Sequence, residues 1–254
     1  MRHFNMCFWK RFIIKDGVLV KYNGKASHVA IPDTVTAIGA YAFAENKDLV
    51  EVVIPESVTE IRKSAFSNCI NLETVNTLTN VTYIGDAAFY GCVNLRNISI
   101  PNIEEIRDYA FRNCQSLEEV VFPERLIRLI TTAFQGCDKL ADKDGFIILR
   151  GVVFDYIGKA VHITIPDGVD IIGEEAFKFL DYVETVVCPD SVTKIFNRAF
   201  YCCENMASIT ISNKLTEIRE NAFVRCRKNM IIHAPKGSYA QQYVKDNYTT
   251  FETI

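Results

Sequence analysis

The sequence predicts a repeat solenoid, a curved stack of about eight ~23-residue units, each a strand, a turn and a short helix, with β-hairpin elements added. Three observations carry this prediction. An Ile-Pro-like pair begins at Ile31, Ile54, Thr77, Ile100, Phe122, Ile165, Cys188 and Ile211, in steps of 22 or 23 residues with one step of 43. An Ala-Phe pair occurs once in each unit, at Phe43, Phe66, Phe89, Phe111, Phe134, Phe177, Phe200 and Phe223. A Phe-x-x-x-x-Gly element occurs twice, at Phe12 and at Phe146, 134 residues apart.

The repeating unit reads I-P-x-x-V-x-x-I-x-x-x-A-F-x-x-C-x-x-L-x-x-V. A single unit has too little apolar surface to bury itself, whereas stacked units place like residues over like and close a continuous core. Segments such as Leu49-x-x-Val52-x-Ile54 alternate with period two, which suits a short strand with one buried face. The proline after Ile31, Ile54 or Ile100 has no N–H for a ladder, so the chain turns there. A column Ile38, Ile61, Ile84, Ile106, Leu129, Ile172, Ile195 and Ile218 precedes the Ala-Phe pair. The A-F-x-x-C segment is read as a helical turn or brief helix whose Phe ring fills the space between rungs. Together the eight rings are expected to form one buried spine.

Residues 12–24 and 146–158 both read as hairpins, turning at Asp16-Gly17 and Arg150-Gly151. The expected organisation is one continuous solenoid: an N-terminal extension over 1–11, a hairpin plus repeats 1–5 over 12–140, a second hairpin plus repeats 6–8 over 141–234, and a closing helix and tail over 235–254. The first hairpin is expected to cap the stack, and the second either continues it or offsets it. Ser238 is the expected N-cap of the closing helix, with Tyr239, Tyr243 and Val244 as its apolar residues.

Composition narrows function. Hydrophobic residues make up 49% and charged residues 23%, the balance of a folded globular chain, and the net charge of −3 supplies no global field for nucleic acid. No stretch reaches the ~18 apolar residues of a membrane span, so membrane insertion is not expected. The N-terminus lacks the uninterrupted apolar core of a secretion signal, which read by itself implies the cytoplasm.

The unit I-P-x-x-V-x-x-I-x-x-x-A-F-x-x-C-x-x-L, the opening element Phe12 to Gly24 and the closing run Ala234 to Tyr239 resemble the BspA-like leucine-rich repeats of bacterial surface proteins and some protists. The resemblance covers about residues 12–247. It implies a leucine-rich repeat solenoid of the α/β type, placed on a cell surface or secreted, that adheres to or binds proteins, often host matrix proteins.

Of nine cysteines, Cys69, Cys92, Cys114, Cys137, Cys203 and Cys226 share one repeat position, which Asn46 and Leu180 fill elsewhere. A metal or disulfide ladder is one reading. A column of small buried side chains is favoured, because Leu180 has no ligand atom and one cysteine per rung lacks the close spacing of zinc sites. His28 and His162 are equivalent under the 134-residue offset, which argues for a structural role rather than catalysis. Glu51, Glu60, Glu73, Glu104, Glu105, Glu118, Glu119 and Glu184 read as a solvated face rather than an acid–base pair. No hydrolase elbow, metalloprotease helix or phosphate loop occurs, and no catalytic, metal or cofactor residues are assigned.

The expected binding surface consists of outward strand positions: Glu51 and Val53, Thr74 and Asn76, Asn97 and Ser99, Glu119 and Val121, Thr185 and Val187, Ser208 and Thr210. Its acidic and neutral mixture disfavours nucleic acid. The resemblance implies a non-enzymatic module for a protein partner, such as a host matrix or surface protein. A cytoplasmic scaffold or self-assembling structural protein, and a carbohydrate-binding module, remain as alternatives.

Overall fold

The computed structural model describes residues 11–123, 128–247 and 250–253, which divide into two compact units at Leu140 and Ala141. Apart from Arg11, the expected N-terminal extension lies outside the described residues.

The first unit opens with a hairpin, Phe12–Lys15 against Val18–Tyr22. Asp16 and Gly17 both take positive φ, 49° and 76°, which gives the turn a twist matching that of the strands. The second hairpin strand then starts a parallel ladder of two-residue strands: Ala37–Ile38, Glu60–Ile61, Tyr83–Ile84, Glu105–Ile106 and Arg128–Leu129. A second parallel ladder of slightly longer strands runs His28–Ala30, Glu51–Val53 and Thr74–Val75, and is taken up again by Asn97–Ser99 and Glu119–Val121. Each rung therefore has two strand edges where the sequence suggested one. The aliphatic column from Ile38 onward is itself a ladder, too short for its alternation to be visible.

The second unit repeats this plan. Its hairpin, Phe146–Leu149 against Val152–Tyr156, turns at Arg150 (φ 56°) and Gly151 (φ 75°) and opens the ladder Ile171–Ile172, Lys194–Ile195 and Glu217–Ile218. The longer ladder runs His162–Thr164, Thr185–Val187, Ser208–Thr210, Ile231–Ala234 and Thr250–Thr253. The last of these strands falls in the tail that follows the expected closing helix, where the sequence suggested no strand.

The Ala-Phe edge is not the short helix that the sequence suggested. Its backbone alternates between two kinds of partner. Ala42, Ala44 and Asn46 donate within the rung to Gly39, Tyr41 and Phe43 carbonyls. Tyr41, Phe43 and Glu45 donate to Lys63, Ala65 and Ser67 of the next rung. A helix would spend those N–H groups on its own chain. The alternation requires left-handed residues two before and two after the Phe, as at Tyr41 and Glu45, Ser64 and Asn68, or Ala87 and Gly91. The turn thus forms a third backbone ladder.

The Phe residues fill the space inside. Phe43, Phe66, Phe89, Phe111 and Phe134 stack in the first unit with centroids 4.9, 5.1, 5.2 and 5.0 Å apart. Phe177, Phe200 and Phe223 stack in the second at 5.0 and 5.4 Å. These spacings follow the ~4.8 Å separation of paired strands, so the backbone sets the ring interval. The hairpins extend each run: Tyr22 lies 5.0 Å from Phe43, and Tyr156 lies 5.5 Å from Phe177. The sequence suggested one spine of eight; the rings are described as one run in each unit.

At the C-terminus Tyr239–Asn247 is helical. Gln241 N–H reaches Ser238 Oγ at 3.4 Å, which makes Ser238 the N-cap expected of it, and Gln241 Oε1 accepts from Gly237 N at 2.8 Å. Ala240 and Val244 are buried and Tyr243 packs edge-on against Phe223, while Tyr239 is exposed, contrary to its expected place on the apolar side.

Candidate protein-binding surface

The longer ladder exposes two outward columns. The strands bury one inward residue per rung, Val29, Val52, Val75 and Ile98 in the first unit and Ile163, Val186, Ile209 and Ile232 in the second, while Val120 of Glu119–Val121 is half-buried, and the flanking residues turn outward. Register places Glu51 beside Thr74, Glu119 beside Asn97, and Val121 beside Ser99. In the second unit Thr185 pairs with Ser208 and Val187 with Thr210. Val53, Val121 and Val187 are exposed by 43%, 42% and 42%. Each unit thus presents a column of polar residues beside a column containing exposed valine.

Asn76 does not belong to that surface. Its Nδ2 donates to Ile54 O at 2.9 Å and its Oδ1 accepts from Ile54 N at 2.7 Å. Elsewhere the corresponding N–H finds a backbone carbonyl one rung on, as Ile31 finds Val53 and Ile100 finds Val121. The Asn76 amide stands in for that carbonyl because the chain slips by one residue here: Leu78, not Thr77, is buried and donates to Ser99 O. A one-residue slip exchanges the two faces of a strand. The pairing of Thr77-Leu78 with Ile54-Pro55 is corrected accordingly, and the ladder is interrupted between Thr74–Val75 and Asn97–Ser99.

Two histidines head these columns, and the sequence reading did not include them. His28 pairs with Glu51 in register, its Nε2 3.7 Å from the carboxylate, and His162 Nδ1 lies 3.0 Å from Thr185 Oγ1. Their equivalence under the 134-residue offset was the signal that could have placed them there.

Charges line the borders as neighbouring-rung pairs, with Arg96 3.6 Å from Glu73 and Lys139 3.2 Å from Glu118. The glutamates do not form one face: Glu60 and Glu105 lie on the shorter ladder beside Arg62 and Arg107, whereas Glu51 and Glu119 lie on the longer one. Exposed pairs of this kind add little stability and leave the surface mixed in sign.

The cysteines face inward. Each ladder thiol donates to the Phe carbonyl of the preceding rung: Cys69 to Phe43, Cys92 to Phe66, Cys114 to Phe89, Cys137 to Phe111, Cys203 to Phe177 and Cys226 to Phe200, at 3.0 to 3.2 Å. All eight described cysteines are free thiols. Burial pushes Cys69 and Cys188 up to about 12 and raises Cys92 and Cys114 well above the ordinary thiol value. The thiolate, the nucleophilic form, is thereby disfavoured at these positions. A small apolar residue accounts for the burial, but only a thiol supplies the donor as well.

These rungs match a known repeat. Residues 14–141 and 149–249 fit the model of the BspA type leucine rich repeat region, in six copies. The chain belongs to this family. Among curated proteins none is similar to it at a significant level. A leucine rich cell surface protein from Faecalibacterium prausnitzii is similar at 22% identity and a TM-score of 0.41, over 91% of this chain and 94% of that one. A leucine-rich repeat protein from Bacteroides ovatus is similar at 21% identity and 0.44, over 93% and 87%. The pneumococcal vaccine antigen PcpA is similar at 14% identity and 0.45, over 93% and 91%. Among the described residues no helix is long and apolar enough to cross a membrane.

Proposed function

We propose that the chain is a non-enzymatic module that binds another protein through the outward columns of its longer ladder, as an adhesive member of its family. One observation carries the reading: in both units the same strand edge presents a polar column beside exposed valines, a surface that every rung extends without altering the core. The contact residues are Glu51, Val53, Thr74, Asn97, Ser99, Glu119 and Val121, with Thr185, Val187, Ser208 and Thr210 on the second unit. His28 and His162 are added and Asn76 is removed. A flat surface built of many small contributions suits a macromolecular partner better than a small molecule, which favours a concave pocket.

The test is quantitative binding of the intact chain to purified extracellular matrix proteins by surface plasmon resonance. Glu51→Lys, Val53→Asp and Val121→Asp together, on a fold verified by circular dichroism, are expected to abolish the interaction that the unaltered chain shows. Retention of binding by this triple variant would overturn the assignment of this surface. Fractionation of the native cells bears on adhesion: confinement to the cytosol would favour the scaffold reading.

A further inference from the structure

The turn edge of the second unit carries a surface that its fold does not require. Phe179 takes φ 63° and is 59% exposed, more than any other large apolar side chain among the described residues. A bulky residue is disfavoured in this left-handed conformation, and an exposed ring gains little from burial. In the first unit the equivalent position is held by Glu45, Asn68, Gly91, Asn113 and Gly136, none of them aromatic or apolar and bulky. Phe179 is therefore not explained by packing.

Its surroundings are aromatic and cationic. The Tyr201 ring meets it edge-on at 5.6 Å and 74°, so the two rings make a corner rather than a flat platform. Lys178 Nζ lies 5.4 Å from the centre of the Phe179 ring, and the Arg198 guanidinium 5.8 Å from that of Tyr201. Arg225 Nη1 donates to Tyr201 Oη at 3.4 Å. The anion within the group is Glu175, which is largely buried and pairs with Lys178 at 2.5 Å and Arg198 at 3.7 Å. Exposed Val224 holds the position of Tyr201 one rung on, where its carbonyl accepts from Cys202 N.

We propose that Phe179, Tyr201, Val224, Lys178, Arg198 and Arg225 form a second interaction surface, which takes an acidic segment of a protein partner with an apolar side chain set in the aromatic corner. This rests on the protein-binding reading above but uses a different edge of the rungs. Aromatic and arginine side chains are the residues that concentrate energy at interfaces, and they are scarce on the strand columns. Lys178 and Arg198 share the one carboxylate of Glu175 and Arg225 adds a third cation at Tyr201, a balance that favours an anionic partner. Lys178, Arg198 and Arg225 are donors only, which fits carboxylates better than the hydroxyls of a neutral sugar.

The test selects a random peptide library displayed on phage against the intact protein, with counter-selection against Phe179→Asn. Asparagine holds the same turn in the first unit, so this variant is expected to fold with unchanged or higher thermal stability. Enriched peptides are expected to carry Asp or Glu around one apolar residue, and to bind Phe179→Asn and Arg225→Gln at least about tenfold more weakly in fluorescence anisotropy. Peptides of neutral or basic composition, equal binding by both variants, or no peptide lost on counter-selection would overturn the proposal. A marked fall in the stability of Phe179→Asn would assign the ring to packing and overturn it as well. A heparin fragment and an oligothymidylate are run beside the peptides, and tighter binding of either in place of acidic peptides counts against the proposal. The Glu51, Val53 and Val121 triple variant is expected to keep the peptide affinity, so loss at one edge is distinguishable from loss at the other.

Discussion

At the scale of the residue, stability concentrates in side chains that repeat at an identical depth. Phe89 is fully buried and stacks at 5.1 Å on Phe66 and 5.2 Å on Phe111, with ring planes nearly parallel. Phe89→Ala is expected to lower unfolding stability by about 3–5 kcal/mol, measured from urea denaturation midpoints, because neighbouring rungs cannot collapse into the gap. These positions were legible because the Ala-Phe pair occurs in every unit at a constant offset. The thiol–carbonyl bonds were not legible, since a small apolar residue and a weak donor leave the same mark in a sequence. The left-handed turn positions were half-visible. Asn68, Gly91, Asn113 and Gly136 signal them, while Phe179, Cys202 and Arg225 at equivalent places conceal them.

At the scale of the element, the decisive surprise is the slip at Asn76. Counting from Val75 aligns Thr77 with Ile54, yet the buried side chain is Leu78. Nothing in a repeat count records which of two adjacent residues turns inward, and the amide that repairs the ladder looks like any exposed strand asparagine. Asn76→Ala removes two hydrogen bonds from the Ile54 backbone and is expected to cost about 1–3 kcal/mol. Thr74→Ala, on the exposed column next to it, is expected to stay within about 0.5 kcal/mol in the same denaturation assay. Similar losses at the two positions would argue against the bridging role. The hairpins were legible from Asp16-Gly17 and Arg150-Gly151, whose residues suit a two-residue turn. The two-residue strands of the shorter ladder were not, because no alternation can be seen in so short a run.

At the scale of the whole molecule, the buried thiols act together. Their titration lies above the ordinary thiol range in the folded chain, so above about pH 8.5, the usual thiol value, the unfolded chain releases protons that the folded chain retains. The unfolded state then binds fewer protons, and stability falls as pH rises. The melting temperature is expected to be level near neutrality and to decline steadily from about pH 8.5 toward about pH 11, as the unfolded chain ionises. Cys92→Ala combined with Cys114→Ala is expected to be less stable at neutral pH but to show a shallower decline; an unchanged slope would remove the thiols from the account. The outward columns were largely foreseeable, since their members follow from strand alternation, whereas the aromatic corner on the turn edge lies where sequence periodicity marks no strand. One further consequence follows from the third ladder, in which Phe43, Phe66, Phe89, Phe111, Phe177 and Phe200 each donate to the rung that comes next. Because each of these bonds among the described residues spans one step, an in-frame genetic crossover between two equivalent turns away from the Asn76 slip would shorten or lengthen the array while keeping the same kind of junction, so copy number can drift under selection without renegotiating the interior.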